Sequence, residues 1–337
     1  MLDECQGEFM SDSLLGVDIG GTKVAAGLVD LQGEILFKTR NPMNSRGSAE
    51  EGLSAVLMAI NDALAFSPDA NVVGIGLIAP GPLDPKRGLI INPPNNPCWR
   101  NYPLVQEVQK HYDSPVVLDN DANGAALAEA IWGAGRGYSN VFYATLGTGI
   151  GTGMVLDGKI FHGRTGAAAE GGHMTIDYRS RYVCGCGKPG CIEVLASGRA
   201  VARRAKEKAV TAPQAAALLL ELADGKIDNI TAELVGKAWK AGDPLATEIL
   251  EETADMLAAW IGNIVDMIEP EVMVFGGGLT DLMKDWFAHI ERAFPKWAIN
   301  QRASEIPIVH AKYGHDAGVA GGAALCLSLP KAVSMSM

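Results

Sequence analysis

Three of the chain's six cysteines fall within eight residues, as Cys184-Gly-Cys186-x4-Cys191, with His173 upstream. Cys184 and Cys186 are too close in sequence for an unstrained mutual disulfide, and no Cys-x-x-Cys redox pair is present. One imidazole and three thiolates in a segment rich in Gly and Pro suit a tetrahedral, structural Zn²⁺ site. A redox centre, or merely buried cysteines beside a surface histidine, is the competing reading. Glu170 and Glu193 flank this segment, while Asp119 and Asp121 stand at a strand-to-helix junction, PVVLDN running into DANGAALAEA. Asp121 reads either as an acid that stabilises the start of a helix or as the acceptor of a hydroxyl proton during phosphoryl transfer. The helix N-terminus is expected to depress its pKa. Asn95 and Asn120 add amides, and acids with amides suit a small ligand bearing several hydroxyls.

Glycines supply a second chemistry. Asp18-Ile-Gly20-Gly21-Thr22-Lys23, the run around Gly147, Thr148 and Gly149, and Phe275-Gly276-Gly277-Gly278 each follow an apolar strand. The first is not a Walker A loop, and the second continues as a strand where a dinucleotide fingerprint would open a helix. Phosphate-binding hairpins remain: backbone N–H groups approach anionic oxygens, Thr22 or Thr148 adds a hydroxyl, and Asp18 can face Mg²⁺ or its waters. A plain tight hairpin is the alternative for any one of them.

These groups must be held by alternating strands and helices. LLGVDI, VAAGLVD and EILFKTR read as an antiparallel meander, followed by a helix from about residue 48 to 66. VVGIGLIA is a buried strand. After a Pro- and Asn-rich loop come helix PLVQEVQKHY, strand SPVVLDN and the DANGAALAEAIW helix. NVFYATL, GTGMVL and GKIFHG restart the meander. Residues 197–269 are mostly helical, with Thr231 and Asp243 as N-caps and Pro244 at a first helical position. EVMVFGG and EIPIVHAKY are the last strands, and a final helix starts near Ala317. The near-duplication predicts two α/β domains with mixed sheets and a cleft between them: residues 1–132, with the helix at about 317–330 packing on them, and residues 133–316.

A formal net charge of −11 disfavours a nucleic-acid partner. No apolar run approaches the roughly 20 residues that span a bilayer, and the opening MLDECQGEFMSDS lacks the features of a secretory signal. Sparse cysteines fit a reducing compartment, so a cytoplasmic protein with no membrane association is expected.

In order along the chain, DIGGTK, the APGPLD loop, NNPCW, DNDANGAALAE, LGTGIGTG, EGGHMTI and CGCGKPGCIE resemble the ROK (repressor, open reading frame, kinase) family, and within it the sugar kinases of glucokinase type. The resemblance runs from about Leu14 to the end. It implies an actin-like ATPase fold, two RNase-H-like domains closing on ATP and a hexose. It further implies Asp121 as catalytic base, with Asn95, Asn120, Glu170, His173 and Glu193 as sugar contacts. DIGGTK (Asp18, Gly20, Gly21, Thr22, Lys23), Gly147-Thr148-Gly149 and Gly276-Gly277 would hold the nucleotide and Mg²⁺. The zinc ligands would be His173, Cys184, Cys186 and Cys191. One nitrogen of His173 could bind zinc while the other meets a sugar hydroxyl, so that the loop positions Glu170, His173 and Glu193. Only about thirteen residues precede Leu14, which points to the kinase branch rather than to repressors with an N-terminal DNA-binding domain. A homodimer is implied. Two residues depart from the pattern: Cys98 where Gly is usual, and Gly124 where Ala is common, at a helix-propensity cost of up to about 1 kcal/mol.

The expected activity is ATP-dependent phosphorylation of glucose at its 6-hydroxyl. Kinases for other hexoses (N-acetylglucosamine, N-acetylmannosamine, mannose, fructose), a polyphosphate-dependent glucokinase and a sugar-sensing regulator are the alternatives.

Overall fold

The computed structural model describes residues 12–329. The expectations made for the opening segment, for Cys5 and for residue 330 lie outside the described residues. The chain forms two compact units, whose described residues are 12–136, 159–168 and 315–329 in the first and 137–158 and 169–314 in the second.

In the first unit β1 (Asp12–Ile19), β2 (Lys23–Asp30) and β3 (Ile35–Pro42) form the antiparallel meander. Parallel strands β4 (Asn71–Ala79) and β7 (Val116–Asn120) extend it, in the order β3-β2-β1-β4-β7. Two-residue strands β5 (Leu83–Asp84) and β6 (Leu89–Ile90) make a separate hairpin within the Pro-rich loop. Helix α1 (Ala49–Phe66) opens on a capping box: Ser48 Oγ accepts the Glu51 N–H, and the Glu51 carboxylate accepts the Ser48 N–H. Helices α2 (Leu104–Gln109), α3 (Asp121–Ile131) and α11 (Ala317–Leu325) complete the unit.

Small residues let α11, AGVAGGAAL, lie flat on the sheet and on α3. A Cβ on Gly76 of β4 would fall 1.7 Å from Gly322 O, a contact that no side chain can share. Gly76→Ala is therefore expected to cost at least about 2 kcal/mol of stability. Urea unfolding checks this, and an unchanged midpoint would contradict the packing. Gly124 has the same origin. Its Cβ would lie 2.7 Å from Ile78 Cγ2 and 3.3 Å from the Gly321 carbonyl carbon. The lost helix propensity at Gly124 is offset by the close approach of α3 to α11.

The second unit repeats the plan. Strands β8 (Val141–Leu146) and β9 (Ile150–Leu156) form a hairpin, and β11 (Val272–Gly276) and β12 (Ile308–His310) follow in parallel, giving β9-β8-β11-β12. Helices α4 (Ile192–Ala196), α5 (Gly198–Thr211), α6 (Ala217–Leu222) and α7 (Ala232–Lys240) precede the long α8 (Pro244–Ile268), with α9 (Gly278–Leu282) and α10 (Phe287–Ala293) after β11. Thr231 caps α7, and Asp243 caps α8 with Pro244 at its first position. Fully buried Trp260 of α8 packs edge-on against Phe142 in the core. The strand expected at GKIFHG shrinks to β10 (Lys159–Ile160), and residues 159–168 belong to the first unit. The physical reason is His162, whose Nε2 lies 2.5 Å from Asp119 Oδ2. The strand expected at EIPIVHAKY is likewise only three residues long. Among the described residues no helix is long and apolar enough to cross a membrane.

Candidate active site and metal centre

In the first unit β1 and β2 reverse at Gly20-Gly21-Thr22, where the Gly20 N–H donates to Lys23 O at 2.9 Å. A Cβ on Gly21 would lie 2.7 Å from Asn95 O, so the hairpin tip rests on the loop that carries Asn95. Buried Asn96 joins the two: with its amide turned to donate, it reaches Asn95 O at 2.7 Å and Gly20 O at 3.3 Å. Trp99 anchors the loop, its side chain in the core and its indole N–H donating to Ala49 O at 3.2 Å. Asn95 itself is exposed. Cys98 packs beside Trp99 at Gly52, where a Cβ would fall 3.2 Å from its sulfur.

Asn120 rather than Asp121 is the N-cap of α3, its Oδ1 accepting the N–H groups of Ala122 (2.9 Å) and Asn123 (3.3 Å). Asp121 is the first helical residue and keeps solvent access. Its pKa moves opposite to expectation. Desolvation by the surrounding protein raises it, outweighing the lowering by the N–H groups of Ala122 and Asp121 and by the Asn120 side chain. Asp18, near the end of β1, is pushed up to about 6 by burial and by the charge of Asp121, against the pull of Lys23 and Arg40. Two carboxyls that resist ionising together, close to a glycine hairpin, form a hard-oxygen donor set that a divalent cation would relieve.

Asp119, buried between these elements, fixes the junction from below. Its Oδ1 accepts the Asn120 N–H (2.7 Å) and Asn123 Nδ2 (3.0 Å), while Oδ2 faces His162. That bond holds the His162 pKa above its ordinary value.

In the second unit the β8–β9 hairpin carries Gly147, Thr148 and Gly149 at its tip, closed by the Gly147 N–H on Gly149 O at 2.9 Å. A Cβ on Gly277 would fall 2.4 Å from Leu146 O, which sets the Gly276-Gly277 turn directly against the hairpin. Glu193, on α4, reaches the same hairpin: its Oε2 accepts the Ile150 N–H at 3.0 Å. Its Oε1 lies 3.6 Å from Cys184 Sγ and 4.0 Å from His173 Nδ1. One carboxylate thus joins the glycine hairpin to the cysteine segment.

His173 Nδ1 and the sulfurs of Cys184, Cys186 and Cys191 all lie within 4.8 Å of one another. A Zn²⁺ tetrahedron with Zn–S about 2.3 Å and Zn–N about 2.05 Å has S···N and S···S edges of about 3.6 and 3.8 Å. The Cys184–His173 and Cys186–Cys191 separations are 3.5 and 3.6 Å. Those two separations match the edges of such a site, and one imidazole with three thiols is the donor chemistry that suits the ion. Burial pushes the Cys184 thiol up to about 12, and a coordinated cation is what would hold it as thiolate. Gly190 makes the tight return possible: its φ is +59°, and a Cβ there would fall 1.8 Å from Asp177 O. With Nδ1 turned to the sulfurs, the Nε2 edge of His173 faces away from the cluster.

Glu170 is exposed and follows Ala169, whose φ of +63° is left-handed and costs a residue with a Cβ about 1 kcal/mol or more. The first unit thus brings together Asp18, Gly20, Gly21, Thr22, Lys23, Asn95, Asn120 and Asp121. The second gathers Gly147, Thr148, Gly149, His173, Glu193, Gly276, Gly277 and the cysteines, with Glu170 immediately before the Gly171–His173 turn. Sequence reasoning passed over Asn96, Asn123, His162, Thr152 and Trp260. NNPCW and DNDANGAALAE carry Asn96 and Asn123 as local signals; Thr152, His162 and Trp260 act across 17, 43 and 89 residues.

Over residues 14–328 the chain matches the ROK family. It is 35% identical over 312 residues to a glucokinase of Streptomyces coelicolor, covering 92% of this chain and 96% of that one. An N-acetyl-D-glucosamine kinase of Pasteurella multocida is 31% identical over 326 residues, covering 93% and 99%. Among solved structures, a ROK family glucokinase from Streptomyces griseus in complex with glucose and AMPPNP superposes with a TM-score of 0.79 at 37% identity. That match covers 93% of this chain and 98% of the other. The duplicated mixed sheets are those of the actin-like ATPase fold.

Proposed function

The chain belongs to the ROK family, and on that premise we propose that it is an ATP-dependent hexose kinase acting on the 6-hydroxyl of glucose. The observation that carries this reading is Asp121: a solvent-reachable carboxyl of raised pKa beside Asp18 and the DIGGTK hairpin. Asp121 takes the proton of the sugar hydroxyl as the hydroxyl oxygen bonds the γ-phosphorus of ATP and the bond to the ADP oxygen breaks. A raised pKa makes it a better acceptor than a helix-start acid of ordinary strength. Asp119, Asn123 and His162 keep the junction rigid, which is what phosphoryl transfer demands of its base.

The hairpins at Gly20-Gly21-Thr22 and Gly147-Thr148-Gly149 offer backbone N–H and hydroxyl donors to phosphate oxygens. Lys23 adds charge, and Gly276-Gly277 leaves room for the adenosine. Asp18 would hold Mg²⁺, directly or through water, and the ion would supply charge neutralisation on the phosphates. Asn95, Asn120, Glu170, the Nε2 edge of His173 and Glu193 supply the sugar's hydrogen bonds. Zn²⁺ on His173, Cys184, Cys186 and Cys191 would supply rigidity rather than reactivity, since all four positions are taken by protein. A cytoplasmic homodimer belongs to the same proposal.

The N-acetyl-D-glucosamine kinase relative favours one second reading, an N-acetylated hexosamine as acceptor. A coupled assay across glucose, mannose, fructose, N-acetylglucosamine and N-acetylmannosamine, each with Mg-ATP and with polyphosphate, separates them. Glucose with Mg-ATP is expected to give the highest kcat/KM; a higher value for an N-acetylated sugar would transfer the assignment to the second reading.

A further inference from the structure

The segment before the His173 turn is held by a group given no role so far. Thr152 of β9 is buried at 6% exposure, and its Oγ1 donates to Ala169 O while accepting the Gly171 N–H at 2.7 Å. One hydroxyl therefore spans Glu170, tying the backbone on each side of it. Trp260 takes the next group, its indole N–H donating to Gly171 O at 3.0 Å, and the His173 N–H donates to Glu170 O at 3.0 Å. Thr152, Trp260 and the His173 N–H together fix four backbone groups on residues 169–171, although Glu170 itself stands exposed.

The conformation so fixed is one that the sequence alone would not choose. Ala169 sits at φ +63°, a region where glycine is at home and alanine is not. Nothing in Ala169 itself holds it there; the Thr152 hydroxyl on its carbonyl does. Gly171 and Gly172 leave no slack either. A Cβ on Gly171 would fall 2.9 Å from Thr152 Oγ1, and one on Gly172 would fall 1.9 Å from Ile150 O.

We infer that Thr152 is a positioning residue for sugar recognition, its hydroxyl clamping the left-handed Ala169 so that Glu170 is aimed at the acceptor sugar. This rests on the reading of Glu170 as a sugar contact. The clamp acts on the acceptor and not on the phosphoryl donor, because the groups it ties flank Glu170 alone. It also works through hydrogen bonds that valine cannot make, although valine has nearly the shape of threonine.

Steady-state kinetics of Thr152→Val, Thr152→Ser, Ala169→Gly combined with Thr152→Val, and Glu170→Gln test it, with zinc content measured in each. Thr152→Val is expected to raise the sugar KM by on the order of tenfold or more, leaving the ATP KM and the zinc content unchanged. Thr152→Ser restores the hydroxyl and the wild-type sugar KM. Ala169→Gly in the Thr152→Val background recovers part of the loss, because glycine reaches the left-handed region unaided. A wild-type sugar KM in Thr152→Val, beside a raised one in Glu170→Gln, overturns the clamp alone. Sugar and ATP KM rising together with loss of zinc also overturns it, as a general structural defect would do this. An unchanged sugar KM in Glu170→Gln overturns instead the reading of Glu170 on which the clamp depends.

Discussion

Replacing Asp121 with alanine is expected to lower kcat for glucose phosphorylation by at least about 10²-fold, with the sugar KM changing far less. In the proposed reaction the carboxylate receives a proton that moves only as the phosphoryl group transfers, so its loss is felt in the transition state more than in binding. Asp121→Asn is the sharper variant. It keeps the oxygen that accepts the Ala122 N–H at 2.8 Å, so α3 still begins in the same way, but an amide cannot take the proton. Both variants should show the same loss in a coupled assay; full activity in either would remove Asp121 from the base role. The pH profile follows from the same geometry. Asp121 is raised by desolvation, and Asp18 is pushed up to about 6 by burial and by the charge of Asp121. A base must be ionised to act, so a raised pKa places the acid-side loss of kcat/KM at a higher pH than an ordinary carboxylate would. Activity should be full above the raised values and fall as pH drops through them.

The second large effect is expected from the metal centre. Cys184→Ser should drop zinc well below one ion per chain and raise the sugar KM by roughly 10- to 100-fold, with a smaller effect on the ATP KM. Two contacts carry the argument. Cys184 Sγ is 3.5 Å from His173 Nδ1 and 3.6 Å from Glu193 Oε1, so loss of the ion frees two of the groups assigned to the sugar. Serine is nearly isosteric with cysteine but a poor zinc ligand, which keeps the packing while removing the coordination. Metal analysis and sugar titration of the purified variant decide it. A zinc-free protein with the wild-type sugar KM would show that the loop shapes nothing in the pocket.

Much of the scaffold could be read from local pattern. The β1–β2 and β8–β9 hairpins announce themselves by apolar strands broken at Gly-Gly-Thr and Gly-Thr-Gly. Thr231 and Asp243 cap their helices as their types predict. The clustering of His173, Cys184, Cys186 and Cys191 was legible too, because three cysteines and a histidine fall in one short segment. What escaped the reading depends on chain segments far apart in sequence. Asp119 and His162 are 43 residues apart, and their bond moves a segment of the second half into the first unit. Thr152 looked like one more residue of a strand. Gly124 looked like a defect until Gly321 was found against it. The Asp121 pKa failed for a related reason: the helix start is visible in sequence and lowers it, but the desolvation that wins comes from tertiary packing.

Phosphoryl transfer from ATP to a sugar hydroxyl leaves a product that can be identified, and product analysis reaches the reaction without an intermediary. Zinc-replete protein incubated with glucose and Mg-ATP should be followed by ³¹P NMR. One phosphomonoester on the sugar's 6-oxygen is expected for each ADP formed, with no free phosphate in excess. Glucose bound by the intact protein without any sugar phosphate appearing would contradict it.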